Sequence, residues 1–168
     1  MLKRALLLIL VTALLSATAF FLYRISERVN DKKVSLRNLE TRNHFTLFDF
    51  DSTQFVLRSD LKSVIVYFNS ECEHCLYELD QIITNAERFS HAEVILTSSE
   101  LIRAIKQFAD TNYPAALVNI RFLKINPDQA HKTFGSLTVP QIFIYGIDGI
   151  LIKKFSGETK IDAIFQYL

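Results

Sequence analysis

The chain has 168 residues, 19 Lys and Arg against 18 Asp and Glu, a net charge of +1 and a mean hydropathy of +0.18. That length holds one domain of ordinary size and an appendage. Fifteen basic against seventeen acidic residues beyond Arg28 leave no basic stripe of the kind nucleic acid selects, so no nucleic-acid partner is expected.

In chain order, Ala5 to Tyr23 is a nearly unbroken apolar run of 19 positions, interrupted by Thr12, Ser16 and Thr18 and preceded by Lys3 and Arg4. Such a run is long enough to cross a bilayer. A cleaved signal peptide is the alternative, with Leu6 to Leu15 as its apolar centre and Ala17-Thr18-Ala19 as its cleavage signal. Phe20 to Tyr23 carry the apolar run past that point and favour a retained anchor. Both readings imply export. The positive-inside rule is divided between Lys3 and Arg4 on one side and Arg24, Arg28, Lys32 and Lys33 on the other. The short basic leader at the extreme N-terminus has the layout of an export signal, which places the remainder on the extracytoplasmic side of the cell membrane. No cysteine lies near the segment to carry a lipid. Three stretches are therefore expected: residues 1–23 as signal-anchor, 24–42 as a polar tether and 43–168 as the folded domain.

Within the domain, Phe45 to Phe50 and Gln54 to Leu57 read as short strands around Asp51-Ser52-Thr53. Val64 to Phe68 reads as a buried strand. After Glu73, Leu76, Leu79, Ile82, Ile83, Ala86 and Phe89 recur at helical spacing. Ala92 to Leu96 is a further strand. Thr97-Ser98-Ser99-Glu100 has the form of a capping box before a helix with Leu101, Ile102, Ile105 and Phe108 on its apolar face. Val118 to Leu123 reads as a strand and Pro127 to Phe134 as a short helix. Gln141 to Tyr145 and Ile150 to Phe155 form a hairpin turned at Gly146 to Gly149, and an amphipathic helix runs from Thr159 to Leu168. Strands alternating with helices, closed by an antiparallel hairpin, make an α/β sandwich around a mixed sheet.

Both cysteines fall in Cys72-Glu73-His74-Cys75, where the buried strand gives way to a helix. Unpaired N–H groups and the positive end of the helix dipole favour a thiolate there. Two intervening residues let one sulfur attack a disulfide and the other resolve the mixed disulfide, with no cofactor. Cys72, nearer the tip, is assigned as attacker and Cys75 as resolver. Two bland readings stand beside this one. A structural zinc site wants four ligands, and two cysteines with the scattered His44, His74, His91 and His131 leave it half-built, so no metal is assigned. A purely structural disulfide closing so small a loop would add little stability.

Strand, Cys-X-X-Cys at a helix start, inserted helix and strand, then Thr138-Val139-Pro140 before a hairpin and last helix resemble the thioredoxin fold. Within it the chain is most similar to the membrane-tethered, extracytoplasmic thiol-disulfide oxidoreductases of the TlpA/ResA type, over about Phe45 to Leu168. The resemblance implies a three-layer sandwich with a mixed central sheet. It makes Cys72 and Cys75 the redox-active pair, and Pro140 a cis-proline that turns Val139 toward an extended substrate strand. A plain trans proline is the alternative. Glu78 matches a glutamate of the cytochrome-maturation branch and would relay a proton to or from Cys75, or else be an exposed helix glutamate. His74 would stabilise a Cys72 thiolate as an imidazolium, or else be a solvated loop residue. The partners implied are thiols and disulfides of exported proteins and a membrane-embedded electron donor.

Asn69, Glu71, Gln141 and Val66 depart from the family pattern. Val66 stands where thioredoxin has a buried aspartate, and Glu71 and Glu73 flank Cys72 with charge that opposes a thiolate. Two rival functions are a peroxiredoxin-type peroxidase, which wants a hydroxyl residue where Asn69 stands, and a tethered binding module whose thiols serve redox sensing.

Overall fold

The computed structural model describes residues 2–42, 46–113, 119–135 and 138–168. Phe45 and Val118, where strands were expected to begin, and His44 lie outside these residues. Two compact units divide the chain, one through Val34 and one from Ser35 to Leu168.

Helix α1, Leu2–Leu39, forms the first unit as far as Val34, and its stretch Ile9–Asn30 is long and apolar enough to cross a membrane. The hydroxyls that interrupt the apolar run do not oppose this. Thr12, Ser16 and Thr18 each donate to the carbonyl three residues back, at 2.9 Å, so none needs water. The stretch read as a polar tether is helical as far as Leu39, which is itself buried in the second unit at 1% exposure.

The second unit is built on a seven-stranded sheet. Its strands are β1 (Leu47–Phe48), β2 (Gln54–Phe55), β3 (Lys62–Tyr67), β4 (Ala92–Ser98), β5 (Ile120–Ile125), β6 (Gln141–Tyr145) and β7 (Leu151–Ser156), in the order β2-β1-β5-β4-β3-β6-β7. β3, β4 and β5 pair in parallel, and β6 joins β3 antiparallel with Tyr67 opposite Gln141. Helices α2 (Glu73–Thr84), α3 (Ile102–Asn112), α4 (Pro127–Phe134) and α5 (Ile161–Phe165) complete the unit.

Side chains alternate faces along each strand, so β3 feeds two cores. Val64, Val66 and Phe68 pack with Leu79 and Ile82 of α2, Ile105 of α3 and Ile164 of α5. Ile65 and Tyr67 pack on the other face with Ala130 and Phe134 of α4 and with Leu39. β4 is buried at every position, as a parallel strand covered on both faces must be. The expected α/β sandwich with a mixed sheet is thus present.

Three local expectations are corrected. α3 begins after Leu101 with no side-chain cap, because Glu100 is drawn into tertiary contacts instead of a capping box. Leu101 is 69% exposed, off the buried face. The last helix is five residues long, shorter than the expected Thr159 to Leu168, because Lys160 is extended as its N-cap and the last residues close in tighter turns, with Tyr167 N–H donating to Ile164 O and Leu168 N–H to Phe165 O.

Candidate active site

β3 ends at Tyr67, and the chain makes a tight turn before α2. Asn69 shapes it: its Oδ1 accepts the Glu71 N–H at 2.9 Å and its carbonyl accepts the Cys72 N–H at 3.2 Å. Cys72 is then the N-cap of α2 in extended conformation, and its Sγ accepts the Cys75 N–H at 3.3 Å. A sulfur in that position occupies the place where capping oxygens sit, at the positive end of the helix. The turn is braced from outside. Glu100, on the loop after β4, accepts from Ser70 N–H at 2.9 Å, Ser70 Oγ at 2.6 Å and Ser98 Oγ at 2.8 Å.

Cys72 is partly exposed and Cys75 buried, at 1% exposure, and no disulfide joins them. Burial pushes the Cys75 thiol up to about 12, with contact to Cys72 and the nearby charge of Glu78 adding to it. The two sulfurs thus differ in access and in environment.

Facing Cys72 across the sheet end is the turn before β6. The antiparallel pairing of β3 with β6 brings it there. The Val139–Pro140 peptide bond is cis, and the Cys72 thiol points at the Val139 carbonyl at 3.9 Å. Pro140 is buried, and its carbonyl accepts the Gly157 N–H at 2.8 Å. Gln141 Nε2 closes the turn by donating to Thr138 O at 2.7 Å.

Glu78 is fully buried, at 0% exposure, which overturns its reading as an exposed helix glutamate. It lies on the stripe of α2 that also carries Cys75, Leu79 and Ile82. Its Oε2 accepts the Thr159 N–H at 2.8 Å, while Oε1 has no hydrogen-bond partner among the described residues. Burial pushes the carboxyl up to about 7, the Thr159 hydrogen bond opposing this. A buried acid with one free oxygen, one helical turn from the buried thiol, is equipped to exchange a proton near neutral pH.

His74 is not a loop residue. It sits in the first turn of α2, largely exposed, and its Nδ1 pairs with Glu158 Oε1. That carboxylate raises the imidazole pKa, so the imidazolium is shared with Glu158 instead of being reserved for Cys72.

The sequence reading passed over the loop between β7 and α5. Three consecutive residues there touch three parts of the site: Gly157 N–H holds Pro140, Glu158 holds His74 and Thr159 N–H holds Glu78. Two of the three contacts are made by backbone, which carries no sequence signal. Only Gly157, at φ +80°, marks the turn, since a left-handed residue is most often glycine. Glu78, by contrast, was findable, because a glutamate on the apolar stripe of a helix is buried wherever that stripe is. Among the described residues no three His, Cys, Asp or Glu side chains gather as a metal site.

No protein-family model and no curated protein matches the sequence. Solved structures do match in shape. A peroxiredoxin-like protein from Aquifex aeolicus superposes with a TM-score of 0.61 at 14% identity, over 73% of this chain and 80% of that one. StoA from Bacillus subtilis gives 0.55 at 17% identity, over 73% and 94%. The exposed lipoprotein thioredoxin of Streptococcus pneumoniae gives 0.56 at 20% identity, over 73% and 95%. At such identities the similarity lies in the fold, and the chain is a thioredoxin-fold protein with an N-terminal apolar helix.

Proposed function

We propose that this chain is an extracytoplasmic, membrane-tethered thiol-disulfide oxidoreductase that reduces disulfides of exported proteins through Cys72 and Cys75. The observation that carries the reading is the placement of Cys72 Sγ at the N-cap of α2, facing the Val139 carbonyl at 3.9 Å, with a buried acid behind it. The Cys72 thiolate attacks one sulfur of the substrate disulfide. That S–S bond breaks, the first substrate sulfur leaves and takes a proton, and Cys72 is left in a mixed disulfide. Glu78, with its free Oε1, then takes the Cys75 proton, and the Cys75 sulfur attacks Cys72 Sγ. The second substrate sulfur leaves, and the protein holds the two oxidised sulfurs as its own disulfide. Val139 presents its backbone to the extended substrate segment, and the cis Pro140 fixes the turn that aims it. Two electrons have passed to the substrate, and a membrane-embedded donor restores the dithiol. The exchange itself needs no cofactor.

Direction follows from charge. His74 is a feature shared with strong oxidants, in which a stabilised thiolate favours the reduced form, near about −120 mV against about −270 mV for thioredoxin. Here its charge is shared with Glu158, and Glu71 and Glu73 flank Cys72. A potential nearer thioredoxin's is expected, read by equilibrating the pair with glutathione or dithiothreitol buffers. A value above the glutathione range would make the protein an oxidant or isomerase.

Insulin disulfide reduction measured alongside peroxide consumption tests the reaction class. Turnover of insulin without peroxide is expected. Asn69 stands where a peroxidase needs a hydroxyl, and its side chain is engaged by the Glu71 N–H. Peroxide consumption would support the peroxidase, and absence of both activities the binding module.

A further inference from the structure

The sheet has two ends, and the cysteines occupy one. At the other, the turn between β6 and β7 carries Ile147 at 57%, Ile150 at 55% and Ile152 at 44% exposure. With Lys62, Gly146 and Asp148 they line an open hollow of about 590 Å³. Scattered exposed apolar residues are ordinary, but a cluster around one hollow marks a contact surface. β3 runs from Lys62 at this end toward Cys72, and its six residues separate the two ends by about 20 Å.

The chain enters the domain beside this turn. Thr41 bridges to Ile150, the Leu151 N–H donates to Glu40 O at 3.0 Å, and the Arg42 N–H donates to Gly149 O at 2.9 Å. The membrane-length stretch ends at Asn30, ten residues before Glu40. Even fully extended, ten residues span at most about 35 Å, and as helix about 15 Å. The apolar turn thus lies beside the point where the chain enters the domain, and the tether from the membrane-length stretch to that point is short. Charge at this end fits such a surface. The Arg42 guanidinium is buried against neutral acceptors, Leu61 O, Ser63 Oγ and Ile147 O, and among the described residues makes no ion pair. Lys62 adds a second cation beside the hollow, against Asp148 in its lining and Glu40 on the entering segment, so this end carries no excess of negative charge to oppose a lipid surface.

We propose that the β6–β7 turn rests in the headgroup layer of the bilayer, with Ile147, Ile150 and Ile152 against lipid, so that the Cys72 end faces away from the membrane. This rests on the reading of the N-terminal helix as a retained anchor. It has a consequence for the electron donor, which must present its own thiols well above the bilayer surface, because the dithiol cannot lie on it.

The test uses the full chain in vesicles of brominated phosphatidylcholine and phosphatidylglycerol. The sequence contains no tryptophan, so I150W supplies a single reporter at an exposed position, and L101W, 69% exposed beside the brace of the cysteine turn, supplies the opposite end. I150W should lose most of its emission relative to unbrominated vesicles and L101W little, with insulin reduction by I150W unchanged. Equal quenching of the two, or none at I150W, overturns the proposal. A blue-shifted but unquenched I150W assigns the surface to a protein partner or a second copy, and overturns it too. Carbonate extraction of the same vesicles tests the anchor separately. Protein that stays membrane-bound with I150W unquenched rejects the docking alone, whereas release rejects the anchor reading itself.

Discussion

Replacing Glu78 by Gln removes the buried titration while keeping the shape and an acceptor for the Thr159 N–H. In the unfolded chain the carboxyl ionises near 4.5, and in the folded domain near about 7. The folded state therefore binds the proton more tightly. Its contribution to stability is intact below the unfolded value and declines as pH rises through this window, at about 1.4 kcal/mol per pH unit, for a loss of about 3 kcal/mol by pH 8. E78Q has no such loss. Its amide puts an NH2 group, with two N–H donors, where Oε1 stood without a partner among the described residues, at about 1 to 2 kcal/mol. The variant is thus expected to be slightly less stable than the parent at pH 5 and more stable by about 1 to 2 kcal/mol at pH 8. Urea denaturation of the dithiol form at several pH values gives both curves. Parallel curves would refute the reasoning, because they would mean that Glu78 ionises in the folded domain as it does in water. The same variant should slow resolution of the mixed disulfide, since the Cys75 proton then has no nearby acceptor.

The remaining expectations can be checked with the same protein. C75S should accumulate substrates as mixed disulfides on Cys72, and iodoacetamide should modify Cys72 before Cys75, read by mass spectrometry; prior modification of Cys75 would reverse the two roles. Replacing Gly157 by Ala leaves open space around the new methyl group but forces a residue at φ +80°, at a cost of about 1 to 2 kcal/mol, seen as a lower urea midpoint. E100A strips Ser70 of its carboxylate partner and should cost about 2 kcal/mol while lowering insulin turnover, with stability lost but turnover unchanged excluding a part for Glu100 in positioning Cys72. E158Q should lower the His74 pKa followed by NMR. Because Glu158 raises that pKa, the pair stabilises the fold below the ordinary histidine value and the gain fades as pH rises through the folded one; an unmoved His74 titration would contradict the pairing.

What the sequence made legible was set by how local each cause is. α4, expected from Pro127 to Phe134, has those bounds, with Pro127 in its first turn and Asn126 as its cap, so its cause lies within two residues. β6 was found at Gln141–Tyr145 because a short apolar run bounded by proline and glycine has few other uses. The Cys-X-X-Cys placement was legible for the same reason. Glu100 was misread, because a serine-rich run before a glutamate has one meaning if the helix starts there and another if Ser70, thirty residues away, reaches the carboxylate first. Burial of Glu78 was written in helical spacing, but its hydrogen bond to Thr159, eighty-one residues on, was not. The contacts of the loop after β7 are mostly backbone contacts, and no choice of side chain announces them.

The pairing of Tyr67 with Gln141 has a consequence for the order in which the site comes into being. Everything that chemically distinguishes Cys75 from an ordinary thiol, its burial and its neighbour Glu78, depends on a sheet whose central partner β6 and whose closing loop are supplied by the last part of the chain. A chain synthesised from its N-terminus delivers Cys72 and Cys75 long before Pro140, Gly157 and Thr159. For that interval the two thiols are equivalent, exposed and open to any oxidant in the compartment, and selectivity between them is acquired only when the C-terminal hairpin docks. Alkylation of nascent chains halted before β6 should accordingly modify both cysteines at comparable rates, while the completed domain yields Cys72 alone.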